Sequence, residues 1–324
     1  MKILVYSDGQ PSSVKALQFA ARLVQSLGAD LAVITVRSGT HAIEPLPPYG
    51  RQINLADASR LPPGLQVMAH ARRVLADEGL FDRQAFVQVR ELPNGHLLAC
   101  HTTDGRRVPF YVCFGNMVET LNHEIEKHRY DLLIIAPPRR GRLHRLILGD
   151  ISRRLVLDVR TSVLVVRGGR ADSRFVVCAD GSAAARRQFP MLKRLLPAIL
   201  PPLEFICVRT MASDDEAVQN AHHCLEQAEQ WLTACGKTFK VHRLEGERPV
   251  QVITAIAGPE AVIVVGASLR HDVYRRLRGS LPIQILSHTA ASTLVVKALP
   301  EDSPGDLQDP KTCQSSGQED LNES

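Results

Sequence analysis

The sequence predicts an α/β chain of two tandem units, each a five-stranded parallel sheet with helices on both faces. Three observations predict it. Short apolar runs alternate with segments of helical periodicity along the chain. Three stretches of the first half recur in the same order in the second. The strand-like runs are mostly continuous rather than alternating, as a parallel sheet covered on both faces requires.

The recurrences place the boundaries. "KILVYSDGQPSS" is echoed by "RFVVCADGSAAA" from Arg174, "DLLIIAPP" (131–138) by "AVIVVGAS" (261–268), and "LILGDISRRLVLDVRTSVLVV" (146–166) by "RLRGSLPIQILSHTAASTLVV" (276–296). The units meet near "RGGRADSR" (167–174), giving domains at 1–169 and 170–297 and a tail at 298–324.

In the first unit "KILVYS" reads as a strand. Val14, Leu17, Ala21 and Val24 follow at helical spacing, and Gly28 stops that helix. "DLAVITV" is the second strand, a helix is predicted over 65–79, "FVQVREL" is the third strand, and "DLLIIA" and "SVLVV" complete the set. The second unit repeats the rhythm with "RFVVCA", "LEFICVR", "TFKVHRL", "AVIVV" and "STLVV", and with a helix over 214–235 that turns Trp231 inward. The first unit carries two additions. One is a Pro-rich excursion at 37–62, and the other a hairpin at 93–115 with Asn94-Gly95 and Asp104-Gly105 as turn signals. Following the third strand, the hairpin is expected at the carboxyl edge of the sheet, where open α/β sheets bind ligands, as a surface ornament rather than a lid.

Composition narrows the class. The 324 residues suffice for two domains, and 44% hydrophobic with 23% charged residues is ordinary for a globular protein. No apolar run reaches the roughly 18 residues of a membrane helix, and "MKILVYSDGQ" lacks the features of a signal peptide. Both point to a cytoplasmic protein with no membrane partner. The seven cysteines form no C-x-x-C pair and read as buried hydrophobes. Residues 298–324 carry seven acids and one lysine, a net −6, which against the chain's +5 leaves the body at +11. With few large apolar residues the tail is expected to be disordered, and the basic body suits an anionic partner.

Several enzyme signatures are absent. There is no G-x-x-x-x-G-K-[ST] loop and no G-x-S-x-G elbow. In "HEIEKH" (123–128) the histidines stand five apart, on different faces of a helix, and "HHC" (222–224) diverges around one, so neither suits a metal.

The tandem layout, "DG" after strand one, and the run from strand four through "GS" to "TLVV" resemble the universal stress protein family, over both units apart from the insertions and tail. The resemblance implies Rossmann-like domains of the adenine-nucleotide alpha-hydrolase-like kind. Nucleotide-binding members of that family carry G-x-x-G-x9-G-[ST] after strand four. Its glycines let backbone N–H groups approach phosphates, and its last Gly-Ser opens a helix whose N-terminus favours anions. In the second unit the motif falls on Gly266 and Ala267, then Leu269 in place of the second glycine, then Gly279-Ser280. Asp180, Gly181 and Ser182 match the strand-one turn, where the family places ribose and metal, and Val208 stands where backbone meets adenine. Arg270, Arg275, Arg276 and Arg278 lie nearby, as triphosphate partners or as a solvated basic face. In the first unit the equivalent residues are Ser7, Asp8, Gly9, Ala136, Arg139, Gly149 and Asp150. Asp150 puts a carboxylate where a phosphate-binding hydroxyl belongs, and Pro137 and Pro138 remove two donors, so that site reads as degenerate.

The resemblance thus implies a cytoplasmic stress-response regulator whose second domain binds ATP, with Mg²⁺ on Asp180. It also implies an intramolecular pseudo-dimer through the last strands, 162–166 and 292–296. An exposed edge strand needs such a partner. Two other classes stay open. One is a protein-interaction scaffold that binds no nucleotide, using the 93–115 hairpin and the basic loops. The other is a nucleic-acid binder through "RRGRLHR" (139–145) and "RHDVYRRLR" (270–278), poorly supported because Tyr274 is the sole stacking residue there. Slow ATP hydrolysis ranks last, because no water-positioning base stands out.

Overall fold

The computed structural model describes residues 1–38, 52–55, 58–82, 86–137, 150–168, 173–200, 202–211, 213–267 and 280–297. In chain order the elements begin with β1 (Lys2–Tyr6), α1 (Pro11–Leu27), β2 (Asp30–Arg37), β3 (Gln52–Asn54), α2 (Pro63–Asp77), β4 (Phe86–Leu92), β5 (Gly95–His101) and β6 (Arg107–Phe114). Next come α3 (Met117–His128), β7 (Leu132–Ile135), α4 (Asp150–Asp158) and β8 (Ser162–Val165). The second half contributes β9 (Phe175–Cys178), α5 (Ala183–Arg186), α6 (Gln188–Leu195), β10 (Leu203–Arg209), α7 (Asp215–Ala234), β11 (Phe239–Glu245), α8 (Pro249–Ala257), β12 (Val262–Gly266), α9 (Leu281–His288) and β13 (Ser292–Val296).

These strands form one continuous mixed sheet of thirteen, in the order β11-β10-β9-β12-β13-β8-β7-β1-β2-β6-β5-β4-β3. Two separate five-stranded parallel sheets were expected, and the sheet overturns that reading. The join is an antiparallel ladder in which Thr293 faces Val165, Leu294 faces Leu164 and Val295 faces Val163. The cause is the pairing demand of the backbone. Both strands are apolar and completely buried, and unmet N–H and C=O groups there would be costly. Side chains lock the same seam. Lys297 N donates to Ser162 Oγ (3.1 Å), and Arg167 N donates to Ser292 Oγ (3.2 Å). Arg167 Nη1 donates to the Thr289 carbonyl (2.8 Å), and Arg194 pairs with Asp131 (2.9 Å).

The third strand of the first half is also reassigned. β6, not β4, lies parallel beside β2, with Val33 facing Phe110 and Val36 facing Cys113. β5 and β4 continue outward antiparallel, and β3 ends the row. Burial explains the choice. β6 buries Val108, Phe110, Tyr111, Val112 and Cys113, whereas β4 alternates buried Val87 and Val89 with exposed neighbours. An interior parallel strand needs the first pattern and a peripheral antiparallel strand the second. The Pro-rich excursion is described only in part, through β3 and the residues around it.

Helices cover both faces. α1, α2, α6 and α7 pack on one through Leu17, Met68, Phe189 and Leu225. α3, α4, α8 and α9 pack on the other through Leu121, Leu155, Ile253 and Ile285. α1 ends as its sequence predicts, at Gly28 with φ 61°. Trp231 is buried on α7, its ring edge-on to Phe189 at 6.2 Å. Among the described residues no helix is long and apolar enough to cross a membrane.

Candidate functional site

A cleft of about 540 Å³ opens at the carboxyl ends of β9, β10 and β11, walled by α7. Its floor begins with the turn after β9. Asp180 Oδ1 accepts from Ser182 N (3.0 Å), an Asx turn that fixes the loop. Ser182 Oγ then accepts from Ala185 N (3.1 Å) and caps α5. Between them Gly181 has φ 72°, and a Cβ there would stand 2.3 Å from the backbone of Asn220. Glycine is required on both counts, and this close approach brings α7 over the turn.

The other walls come from strand ends. Cys207, Val208 and Arg209 close β10, and Arg243, Leu244 and Glu245 close β11. Val218, Ala221 and Leu225 of α7 give an apolar side. Two arginines at the mouth are paired, Arg243 with Glu229 at 3.0 Å and Arg209 with Glu245 at 3.9 Å. Burial raises the Cys207 thiol, aided by the Asp180 charge, and pushes Cys224 up to about 11. Both thiols are therefore protonated at neutral pH and are poor nucleophiles.

Of the residues expected in the second site, Asp180, Gly181, Ser182 and Val208 line this cleft. Gly266 ends β12 and meets a different neighbour: a Cβ would lie 1.9 Å from the Ala184 carbonyl oxygen, so α5 already demands this glycine. Ala267 is buried, its N–H donating to the Val296 carbonyl (2.8 Å). Ser280 is the N-cap residue of α9, its carbonyl accepting from Gln284 N (3.0 Å). Leu269, Gly279 and the arginines of 270–278 lie outside the described residues, as does the tail.

The first site is organised differently. Ser7 is fully buried, and its N–H donates to the Ile34 carbonyl (2.9 Å). The Asp8 carboxylate accepts from Gln10 N (3.0 Å) and from the Ser13 hydroxyl, while Ser13 Oγ accepts from Asp8 N (3.2 Å). Asp8 therefore stitches its own turn to α1. Gly9 lies beside Val67, and Ala136 is buried past the end of β7. Asp150 opens α4, while its side chain, Arg139 and Gly149 are outside the described residues. Among the described residues no group of three metal-ligating side chains comes together.

Sequence reading missed the α7 and β11 walls. Ala217 and Val218 carry no chemical signature, and His222 stands out only as a metal candidate in "HHC". The available signal was positional, because ligands of open α/β sheets lie beyond the carboxyl ends of neighbouring strands.

The fold, the Asp-Gly turn and the cleft define a class of α/β proteins with a helix-covered sheet and a cleft at its strand ends, and the relatives narrow it. The model of the Universal stress protein family matches residues 1–167, and the chain belongs to that family. Its fold is similar to the crystal structure of a universal stress protein from Archaeoglobus fulgidus DSM 4304, at 16% identity and TM-score 0.61, covering 93% of this chain and 97% of that one. It is likewise similar to a functionally unknown protein from Pseudomonas aeruginosa PAO1, at 14% identity and TM-score 0.57, covering 92% of each. No curated protein matches the chain.

Proposed function

We propose that the chain is a tandem universal stress protein, a cytoplasmic stress-response regulator whose second unit, 170–297, holds an adenine nucleotide in the cleft beside Asp180. The observation that carries this reading is the cleft itself. Its volume of about 540 Å³ falls within the roughly 300–1,000 Å³ of small-molecule sites. It lies where the family resemblance puts ribose and base, with Asp180 and Val208 on its lining. The apolar side of α7 suits a base. A Mg²⁺ accompanying the nucleotide would fall to the exposed Asp180 carboxylate, which supplies an oxygen ligand of the right kind. The first unit is proposed to hold none, since Asp8, beyond the turn bond that Asp180 also makes, is taken by the Ser13 hydroxyl. The protein acts by binding, without turnover, and its two units pair as a pseudo-dimer across β8 and β13.

The test needs no assumed ligand. Protein purified without nucleotide is denatured, and the released small molecules are identified by chromatography and mass spectrometry. Adenine nucleotide near one equivalent per chain is expected, lost in Gly279→Asp. No nucleotide, followed by no thermal shift in millimolar Mg-ATP, overturns the proposal in favour of a protein-interaction scaffold.

A further inference from the structure

A second cleft, of about 360 Å³, shares no lining residue with the first. It lies between α3 and the turn joining β4 to β5, beneath strands added outside β6. Leu92, Pro93 and Asn94 line one side, Cys113 and Phe114 the end of β6, and Thr120, His123, Glu124 and Lys127 the helix. The rim residues Pro93, Asn94, Glu119, His123 and Lys127 are exposed, while Cys113 and Glu124 are buried.

Glu124 is the anomaly. Its side chain is 9% exposed, and it stands on α3 between Leu121 and Ile125, which belong to the core. Its Oε2 is enclosed and accepts no hydrogen bond. The nearest cation-forming group is His128 Nε2 at 3.4 Å, and burial pushes that imidazole below its ordinary range despite the opposing pull of Glu124. The other close groups stay neutral: burial raises Tyr111 and Tyr130, and pushes Cys113 up to about 12. An enclosed carboxylate oxygen without a hydrogen bond costs stability, and an apolar residue at this helix position would leave none. The His128 contact at 3.4 Å leaves that oxygen without a hydrogen bond. A donor arriving from the cleft would supply one. Glu119 and Glu124 set against Lys127 leave the lining net negative before His123 is counted.

We propose that this cleft binds a small organic cation, a primary amine on a short apolar body, with Glu124 accepting from its ammonium. Leu92 and Phe114, both half-buried, cover the apolar body, and the exposed rim admits it. The cleft depends on the β4–β5 hairpin, so the site belongs to the elaborated first half. It is independent of nucleotide binding in the second.

The experiment titrates the full-length chain with three probes of one shape and different charge: phenethylamine, 2-phenylethanol and phenylacetate. Backbone amide NMR follows residues 92, 94, 113–114 and 119–127. Phenethylamine is expected to shift these amides saturably, with the alcohol and the acid weaker by about tenfold or more. Glu124→Gln should weaken the amine by a similar factor while its unfolding midpoint stays level or rises. Thr120→Trp, which fills the cleft from its half-buried mouth, should abolish binding, and decides the matter if Glu124→Gln does not fold. The proposal fails if phenethylamine leaves these amides unmoved, if the three probes bind alike, or if the amine binds unchanged to Glu124→Gln or to Thr120→Trp.

Discussion

Glu204 and His242 meet across adjacent strands, with His242 Nε2 2.9 Å from Glu204 Oε2. The other carboxylate oxygen accepts from Arg174 Nη1 at 2.8 Å, and Arg174 reaches on to the carbonyls of Ile256 and Ala257. One acid, 2% exposed, thus ties β10 and β11 to the residue before β9 and the end of α8. Burial alone would raise its pKa, but the hydrogen bonds from Arg174 and His242 prevail and hold it below the usual carboxylate range.

A depressed carboxylate contributes stability above its unfolded pKa and loses it as pH falls through the folded value. Glu204→Gln should therefore cost about 1–2 kcal/mol at pH 7, since its partners are partly solvated. The gap from the parent chain should close as the pH falls below the ordinary value of 4.5. Urea denaturation of both proteins from pH 7 down to pH 3.5 measures it.

Lys297 behaves oppositely. Its ammonium is enclosed against the Val159 carbonyl, and burial pushes its pKa down to about 8, with Asp158 pulling the other way. The unfolded chain then binds the extra proton between about 8 and 10.5, so this residue's contribution to stability rises with pH across that window. Thermal melts from pH 7 to 10.5 should show that rise, and Lys297→Met should flatten it. An unchanged slope in the variant would assign the rise to other groups.

Two glycines should be unequal to a third. Gly181→Ala and Gly266→Ala each drive a methyl into backbone, at 2.3 Å and 1.9 Å, and are expected to cost about 2–3 kcal/mol or more. Gly236 has φ 61° with nothing within 4 Å, so its alanine variant should cost only about 1 kcal/mol. Chemical denaturation of the three variants ranks them.

In the proposed nucleotide cleft, Val218 is a half-buried wall residue. Val218→Trp should fill the space, weaken Mg-ATP binding by about tenfold or more and move the unfolding midpoint little. Calorimetric titration of a folded variant checks it, and unaltered affinity would place the nucleotide elsewhere.

Helices were the most legible elements. The apolar spacing from Val14 to Val24 and the stop at Gly28 located α1, and the long period over 214–235 located α7. Strand roles were harder. "FVQVREL" and "VPFYVCF" are both strands, but only alternation against continuous burial tells the peripheral one from the interior one. The central join was hidden for another reason. Apolar runs such as "SVLVV" and "STLVV" declare burial, yet they do not say whether the neighbouring strand comes from the same half. In the candidate site Asp180–Ser182 and Val208 were readable because a turn motif marks the strand end and the family resemblance marks the rest. The α7 wall was not readable, since small and aliphatic helix residues look alike whether they face a core or a cleft.

The ladder between β8 and β13 has a consequence in mass action. Strands that associate between separate molecules come apart on dilution. Here both strands belong to one covalent chain, so their encounter is governed by an effective concentration that dilution cannot change. The seam should persist unaltered from the most concentrated solution to the scarcest expression level, and its two strands are free to carry different residues because no symmetry requires them to match.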